Sequence, residues 1–500
     1  METKILNFKK ISSIKKSKPK TIIGLAHGAF DLLHYGHLMH LQKAKEKCDV
    51  LVVSVTSSEF INKGPNKPFY DNITRINFLS ALSFVDYIYL SKEKTAEKII
   101  KNLKPNYYFK GDEYEDLKND HTKNIKKEIN ILKSNAGKII YTKERTLSSS
   151  YIYNNFYSKN TDQLAEIKKK TSFKDITNNF KEISKLNVLV IGDLIIDRYF
   201  FCSSLGKSPK EDLISVKNIN TETYGGGIIA TANHVSQFVN KTTLISTIGT
   251  SKNSKQYLNF IDNKIHKKIF KVPSSQVIEK NRFLEVSSKR KLFQNLTNDF
   301  IRLSPKIESG ISKYLKLNLK NFDLVIVNDF GHGLLTANIR KLLQKKSKFL
   351  ALNCQTNSSN VGYNFITKYK KADYITIDEP EARLSSQKRF ANIKEVINTL
   401  KKQIKFKICS VTMGEKGCIV FNNKTNKFFK SPAITKNVED TVGAGDAYFA
   451  ISSLIAYVEN KLESIGFIGN VSGALKISYI GHRQYIKKEA IIGFIKSLFS

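Results

Sequence analysis

Short apolar runs rich in β-branched residues recur along the chain at 21–25, 50–55, 87–90, 187–191, 324–327, 349–352, 374–377 and 408–412. Each is strand-length and apolar at almost every position, the pattern of a strand buried on both faces. Between them, apolar residues return with helical spacing over 76–84, 96–103, 393–402 and 447–458. Strands alternating with helices of that length predict βαβ units and mostly parallel sheets, so the fold class is α/β. Two segments, 21–31 and 187–193, share one grammar: an apolar run followed by a glycine-containing turn, leading into a helical pattern. Two such starts in 500 residues, too many for one core, predict two domains.

Between the starts lies a polar stretch, 157–185, rich in Lys, Asn, Asp and Thr. Phe173, Ile176, Phe180 and Ile183 recur there at helical spacing, which predicts a helix lying against one domain. The expected organisation is therefore a first domain over 1–156, a partly helical linker over 157–185 and a second domain over 186–500.

Composition changes this picture little. No stretch approaches the ~20 apolar residues of a membrane span, and the basic N-terminus lacks the apolar core of a secretory signal. The five cysteines are scattered without metal-site spacing, which fits reduced thiols in a cytoplasm. A net charge of +38 suits a polyanion partner, but the lysines are spread over the whole length and not gathered in a stripe. A solvated basic surface is the preferred reading over a nucleic-acid site.

The first candidate site spans 24–37, where a strand ends, turns and opens a helix. His27, His34, His37 and His40 fall within fourteen residues, beside Gly28 and Asp31. The carboxyl end of a strand beside a helix N-terminus is a phosphate-binding place. Imidazoles there can donate hydrogen bonds to an α-phosphate during displacement, and Gly36 lets a nucleotide approach closely. Rival readings are histidines that merely pack or cap the helix, or a metal site, which would want further ligands.

The run containing Phe30, Asp31, His34, Gly36 and His37 resembles the GxFDxxHxGH motif of cytidylyltransferase-like nucleotidyltransferases, over most of 20–156. The resemblance implies a Rossmann-like fold. It makes the loop with Lys63 and the later Arg75 face a triphosphate, and matches Lys110 to a KGxD turn. It places Arg145, Ser148, Ser149 and Ser150 on the β- and γ-phosphates. Ala29 stands where the family usually has Thr or Cys. The implied reaction is attack on the α-phosphate of ATP or CTP, with Mg²⁺ on the phosphates and release of pyrophosphate.

The second candidate site is the run 439–450. Gly443, Ala444 and Gly445 open a helical pattern, so their backbone N–H groups form an anion hole, and Asp446 follows as a candidate base for an attacking hydroxyl. Alternatively this is an ordinary glycine-rich helix start. With Thr441, the run resembles the DTxGAGD hallmark of ribokinase (PfkB) sugar kinases, over about 186–499. That resemblance implies an α/β/α sandwich with a small β lid. It puts Asp197, Gly225, Gly226, Asn233 and Asp329 on the sugar, and Thr412, Gly414, Gly417 and Asn470 around ATP. Glu381 is the indirect Mg²⁺ organiser. Ile229 replaces the usual sugar-contacting Asn, and Asp378 replaces the Asn of NxxE.

Fusion of the two resembles bifunctional heptose kinase/nucleotidyltransferases of lipopolysaccharide synthesis, with the domain order reversed. It implies ATP-dependent phosphorylation of a heptose 7-phosphate-like sugar phosphate and nucleotidyl transfer to a sugar 1-phosphate. It also implies a cytoplasmic enzyme, without membrane or nucleic-acid partners, that pairs through its lid as a homodimer. The alternative is a nucleotidyltransferase whose kinase fold is silent and serves sensing or dimerisation.

Overall fold

The computed structural model describes residues 4–6, 10, 14, 20–61, 64, 67–111, 124–142, 161–250, 253–273, 275–435 and 438–499. The chain divides into two compact units, Met1–Thr161 with Ile492–Ser500, and Asp162–Ile491.

The first unit is built on five parallel strands, β1 (Ile23–Gly28), β2 (Val50–Thr56), β3 (Tyr87–Ser91), β4 (Tyr107–Gly111) and β5 (Lys138–Thr142). Their spatial order is 3-2-1-4-5. Side chains alternate across the sheet. Ile23 and Leu25 join one core with Ile99, Ile100, Leu103 and Leu132, whereas Ala26 joins the other with Leu41, Ala44, Ile76 and Leu79. Helices thus cover both faces, and the order reverses between β1 and β4, the crevice where such sheets bind ligands. The helix expected over 76–84 lies earlier, at Asn72–Ser80, because Asp71 caps it by accepting a hydrogen bond from the Thr74 N–H at 2.7 Å.

The second unit begins with two helices, Thr161–Lys170 and Phe173–Ile183. Ser172 and Asp175 form a reciprocal capping box on the latter, and its apolar face packs Phe180 against Phe238 at 5.7 Å between centroids. Its main sheet has nine strands. In spatial order these are β10 (Ile265–Val272), β9 (Lys241–Gly249), β6 (Asn187–Gly192), β13 (Leu324–Asp329), β14 (Leu350–Cys354), β15 (Tyr374–Asp378), β16 (Ile408–Thr412), β17 (Cys418–Asn422) and β18 (Lys427–Ser431). All pairings are parallel except those made by β17. One face packs against the helices Pro305–Asn318, Ala337–Lys346 and Ile393–Gln403. The helices Ile228–Ser236, Ala444–Val458 and Leu462–Lys476 are almost wholly buried.

A second sheet of four strands forms the lid: β7 (Leu194–Lys207), β8 (Ile214–Gly227), β11 (Ile278–Glu285) and β12 (Lys291–Leu296). Strand β8 ends in Gly225–Gly227 and runs straight into the helix Ile228–Ser236. A Cβ on Gly225 would approach Ile229 Cγ2 to 2.5 Å, and one on Gly226 would collide with the Asp197 carboxylate. All five cysteines are free and buried. Among the described residues no helix is long and apolar enough to cross a membrane.

Two candidate active sites

In the first unit the site gathers at the carboxyl ends of β1 and β4. His27 is the penultimate residue of β1, with Nδ1 3.0 Å from Ser54 Oγ on the neighbouring β2. Burial, aided by the Lys110 charge, pushes its imidazole down to about 3, so it works as a neutral hydrogen-bonding ring. Phe30 and Leu32 have φ of 48° and 43°, a left-handed backbone that non-glycine residues hold only where surroundings impose it. This turn delivers His34 to the N-cap of the helix Tyr35–Glu46, where its own side chain makes no capping hydrogen bond, and Gly36 and His37 to the first turn. The His34 and His37 rings stack at 3.9 Å, with Phe30 5.5 Å from His37. The helix N-terminus and two imidazoles therefore share one corner, a place chemically suited to an anion.

His40 leaves that corner: Nδ1 meets Thr142 Oγ1 of β5 at 2.6 Å, and burial lowers it to about 4. Lys110 ends β4 with Nζ 3.8 Å from Glu128, whose carboxylate also accepts Tyr108 Oη at 2.9 Å.

Two residues expected on the nucleotide serve the frame. The Asp31 carboxylate accepts the backbone N–H groups of Phe69 and Tyr70 at 2.7 and 3.0 Å. Arg75, expected to face a triphosphate, is fully buried. Its guanidinium donates to the carbonyls of Tyr70, Ala29 and Thr56, to Ser58 Oγ and to Asn72 Oδ1. Those five bonds use the whole donor capacity of an arginine, leaving none for phosphate. Lys63, Arg145, Ser148, Ser149 and Ser150 lie outside the described residues.

In the second unit, Gly443 has φ +80° and caps the helix Ala444–Val458; a Cβ there would be strained and would strike His482. A Cβ on Gly445 would meet nothing within 4 Å, so the turn is open on that side, while the Ala444 N–H is held by the Thr441 carbonyl at 3.2 Å. Asp446 follows in the first turn, buried, with Oδ1 accepting from Asn328 Nδ2 and Gln355 Nε2, each at 2.9 Å. Burial raises its pKa while those two donors oppose the rise, the balance a general base needs. Thr441 stands just before the turn, and Asp440 anchors it by accepting from Tyr199 Oη, the Gly481 N–H and Lys291 Nζ.

The nucleotide-side expectations fall as follows. Thr412 ends β16, and Gly414 and Gly417 shape the next turn with φ of +57° and +84°. A Cβ on Gly417 would collide with the Ser431 carbonyl. Asn470 donates to the carbonyls of Ser431 and Pro432 at 3.2 and 2.8 Å, bracing that turn. Glu381 forms a capping box with Asp378, and its other carboxylate oxygen accepts the Thr356 N–H at 2.7 Å. Burial beside Asp378 raises it to about 8. Both carboxylate oxygens already hold backbone N–H groups, so a magnesium ion bound with ATP would meet Glu381 indirectly.

The sugar-side expectations need correction. Asp197 is committed to an ion pair with Arg282 of β11, and its second oxygen lies 3.4 Å from His482 Nε2, with 3% of the residue exposed. The Arg282 guanidinium, with a hydrogen bond from His482, holds its carboxyl well below the usual range despite burial. Asn233 is fully buried, donating to the Phe260 carbonyl and accepting from the Asp262 N–H, so it fixes a turn and does not face the sugar. Asp329 is likewise consumed by Tyr369 Oη, Lys368 Nζ and the Gly331 N–H. Ile229 is buried within the helix that follows Gly225–Gly227. Residues that the sequence did not single out surround the base and its turn: Asn328 and Gln355 donate to Asp446, and Lys476 and His482 lie against Gly443. Only Gln355 had a signal, as part of the amide-rich segment 353–360.

Comparison with known proteins agrees with this division. Residues 25–155 match the cytidylyltransferase-like family, and residues 306–488 match the pfkB family of carbohydrate kinases. The chain thus joins a cytidylyltransferase-like domain to a pfkB-type domain, in that order. It is similar to the bifunctional protein HldE of Campylobacter fetus subsp. fetus, at 37% identity over 115 residues, 23% of this chain and 25% of that protein. It is similar to HldE of Wolinella succinogenes at 23% identity over 303 residues, 59% and 61% of the two chains. The chain therefore spans between a quarter and about three fifths of these relatives. The crystal structure of Escherichia coli phosphofructokinase-2 with substrates and products superposes with a TM-score of 0.51. At 11% identity it covers 63% of this chain and all of that one, a likeness of fold.

Proposed function

We propose that the chain is a bifunctional enzyme of nucleotide-sugar synthesis. Its second unit phosphorylates a sugar phosphate with ATP, and its first transfers a nucleotidyl group from ATP or CTP to a sugar 1-phosphate. The observation that carries the kinase reading is Asp446, buried beside an open Gly443–Gly445 turn and aligned by Asn328 and Gln355. Asp446 takes the acceptor hydroxyl proton while the backbone N–H groups hold the phosphoryl oxygens. Mg²⁺ supplies charge neutralisation on the phosphates, with Glu381 orienting its water. In the first unit His34, His37 and the helix N-terminus receive the α-phosphate charge as pyrophosphate leaves.

A phosphorylated acceptor is supported by the lid. Lys280 on β11 is pushed down by burial and lies near Asp197, Asp446 and Asp193, so an incoming phosphate meets a cation already close to the base. The motif resemblance to bifunctional heptose kinase/nucleotidyltransferases extends this proposal to a heptose 7-phosphate-like acceptor, a product for lipopolysaccharide synthesis and a cytoplasmic site of action. The stacked Phe200, Phe283 and Phe293 of the lid, with Phe293 55% exposed, suit pairing with a second copy.

The test is a mass-spectrometric assay of the full chain with sugar phosphates, including heptose 7-phosphates, and the four nucleoside triphosphates. Asp446→Asn is expected to lose phosphorylation alone, and His37→Ala to lose pyrophosphate release alone. Phosphorylation by no parent preparation would favour the silent kinase fold; near-normal turnover in Asp446→Asn would refute the base.

A further inference from the structure

Lys476 ends the helix Leu462–Lys476 and is completely buried, yet among the described residues its Nζ has no hydrogen-bond partner. An isolated buried ammonium is costly, so its place needs a reason. Its Cε lies 3.0 Å from where a Cβ on Gly443 would stand, against the turn Gly443–Gly445. Nζ lies over the Tyr479 ring, 4.7 Å from its centroid. His482 shares the position, touching the same face of Gly443, with Nδ1 buried and without a hydrogen-bond partner among the described residues.

We propose that Lys476 is the internal counter-charge of the phosphoryl-transfer site, acting through the Gly443–Gly445 backbone on the group in flight. In that step the acceptor oxygen forms a bond to the γ-phosphorus, the bond to the β–γ bridging oxygen breaks, ADP leaves, and the hydroxyl proton goes to Asp446. Negative charge on the equatorial oxygens then meets the turn N–H groups, with the ammonium behind them in a medium of low dielectric. The helix N-terminus supplies partial charge from one side and Lys476 a full one from the other. Lys476 makes no contact with the reacting atoms, so it is a positioning residue.

The groups facing it explain how it stays charged. Asp440 precedes the turn, Asp446 lies on the helix behind it, and Asp197 reaches in from β7; all three favour the ammonium. Burial and the Lys291 charge from β12 oppose them and bring it down to about 8. His482 lies beside it, between Gly443 and Asp197. The phosphoryl group completes the set of anions that this lysine lacks.

The inference rests on the kinase reading above, and its test separates the two. Lys476→Met keeps length and removes charge. It is expected to lower kcat of sugar phosphorylation on the order of 100-fold with little change in KM for ATP. Ammonium chloride, supplying a small cation to the vacated space, is expected to restore at least about tenfold of this loss. The same variant is expected to melt at a higher temperature than the parent, because an unpaired buried charge has gone. A kcat within about threefold of the parent would overturn the proposal, as would a loss with lowered Tm and no ammonium rescue. If the parent itself phosphorylates no sugar, the kinase reading fails, and binding decides for Lys476. The parent should then bind ADP with aluminium fluoride, a phosphoryl mimic, more tightly than ADP alone; an equal preference in Lys476→Met would overturn the inference.

Discussion

Arg75 Nη1 donates to the carbonyl oxygen of Ala29 at 2.6 Å, tying the helix Asn72–Ser80 to the turn that presents the first unit's histidines. The same nitrogen reaches the Thr56 carbonyl at 2.8 Å, so one guanidinium joins the ends of β1 and β2. Removing it strands several buried acceptors. Arg75→Ala is expected to destabilise the first unit by about 3–5 kcal/mol. Thermal unfolding checks this; an unchanged melting temperature with only a raised KM for the triphosphate would return Arg75 to the phosphates.

His27 and His40 make the first unit acid-sensitive. Both have folded-state values far below the ordinary 6.5, at about 3 and 4. Below pH 6.5 the unfolded chain binds these protons and the folded chain does not, so stability falls as pH drops from 6.5 towards 4. His27→Gln is expected to flatten that part of the stability-against-pH curve, measured by urea unfolding at several pH values. A curve as steep as the parent's would contradict it.

Gln355 should be visible in the kinase pH profile. Its amide and that of Asn328 favour the ionised form of Asp446 against burial. Gln355→Ala removes one donor, so the acidic limb of kcat for phosphorylation is expected to move to higher pH. An unmoved limb with an equal loss at every pH would assign Gln355 to the acceptor instead.

Arg282 and Asp197 test the sugar side. Breaking a buried pair by removing one partner leaves an uncompensated charge, so Arg282→Met is expected to cost about 3–5 kcal/mol, read by urea unfolding of the second unit. Asp197→Asn together with Arg282→Met should recover much of that loss. Failure of the double variant to recover would mean that the two residues are not energetically coupled.

The α/β class and most strands were legible because buried parallel strands are continuous apolar runs: Ile408–Thr412 forms the strand expected over 408–412. The histidine turn and the Gly443–Asp446 turn were legible because their chemistry needs particular residue types within a few positions. What stayed hidden arrives from elsewhere. Asn328 is the penultimate residue of β13 and Lys476 ends a helix 30 residues beyond Asp446, and no local spacing links either to the base. The opposite error befell Arg75, Asn233 and Asp329. Chain position placed them near the sites but could not say which acceptors would claim their polar atoms. A fully bonded arginine and one waiting for phosphate look alike in a sequence.

The burial of the five cysteines makes the molecule convenient to instrument. Each thiol is pushed above its ordinary range, Cys48 to about 11 and Cys418 to about 12, so almost none is present as the reactive thiolate near neutral pH. A single cysteine introduced on an exposed lid position such as Ile214 would therefore react with a maleimide dye ahead of every native thiol. Fluorescence could then follow the lid in the otherwise unaltered chain, without first building a cysteine-free background.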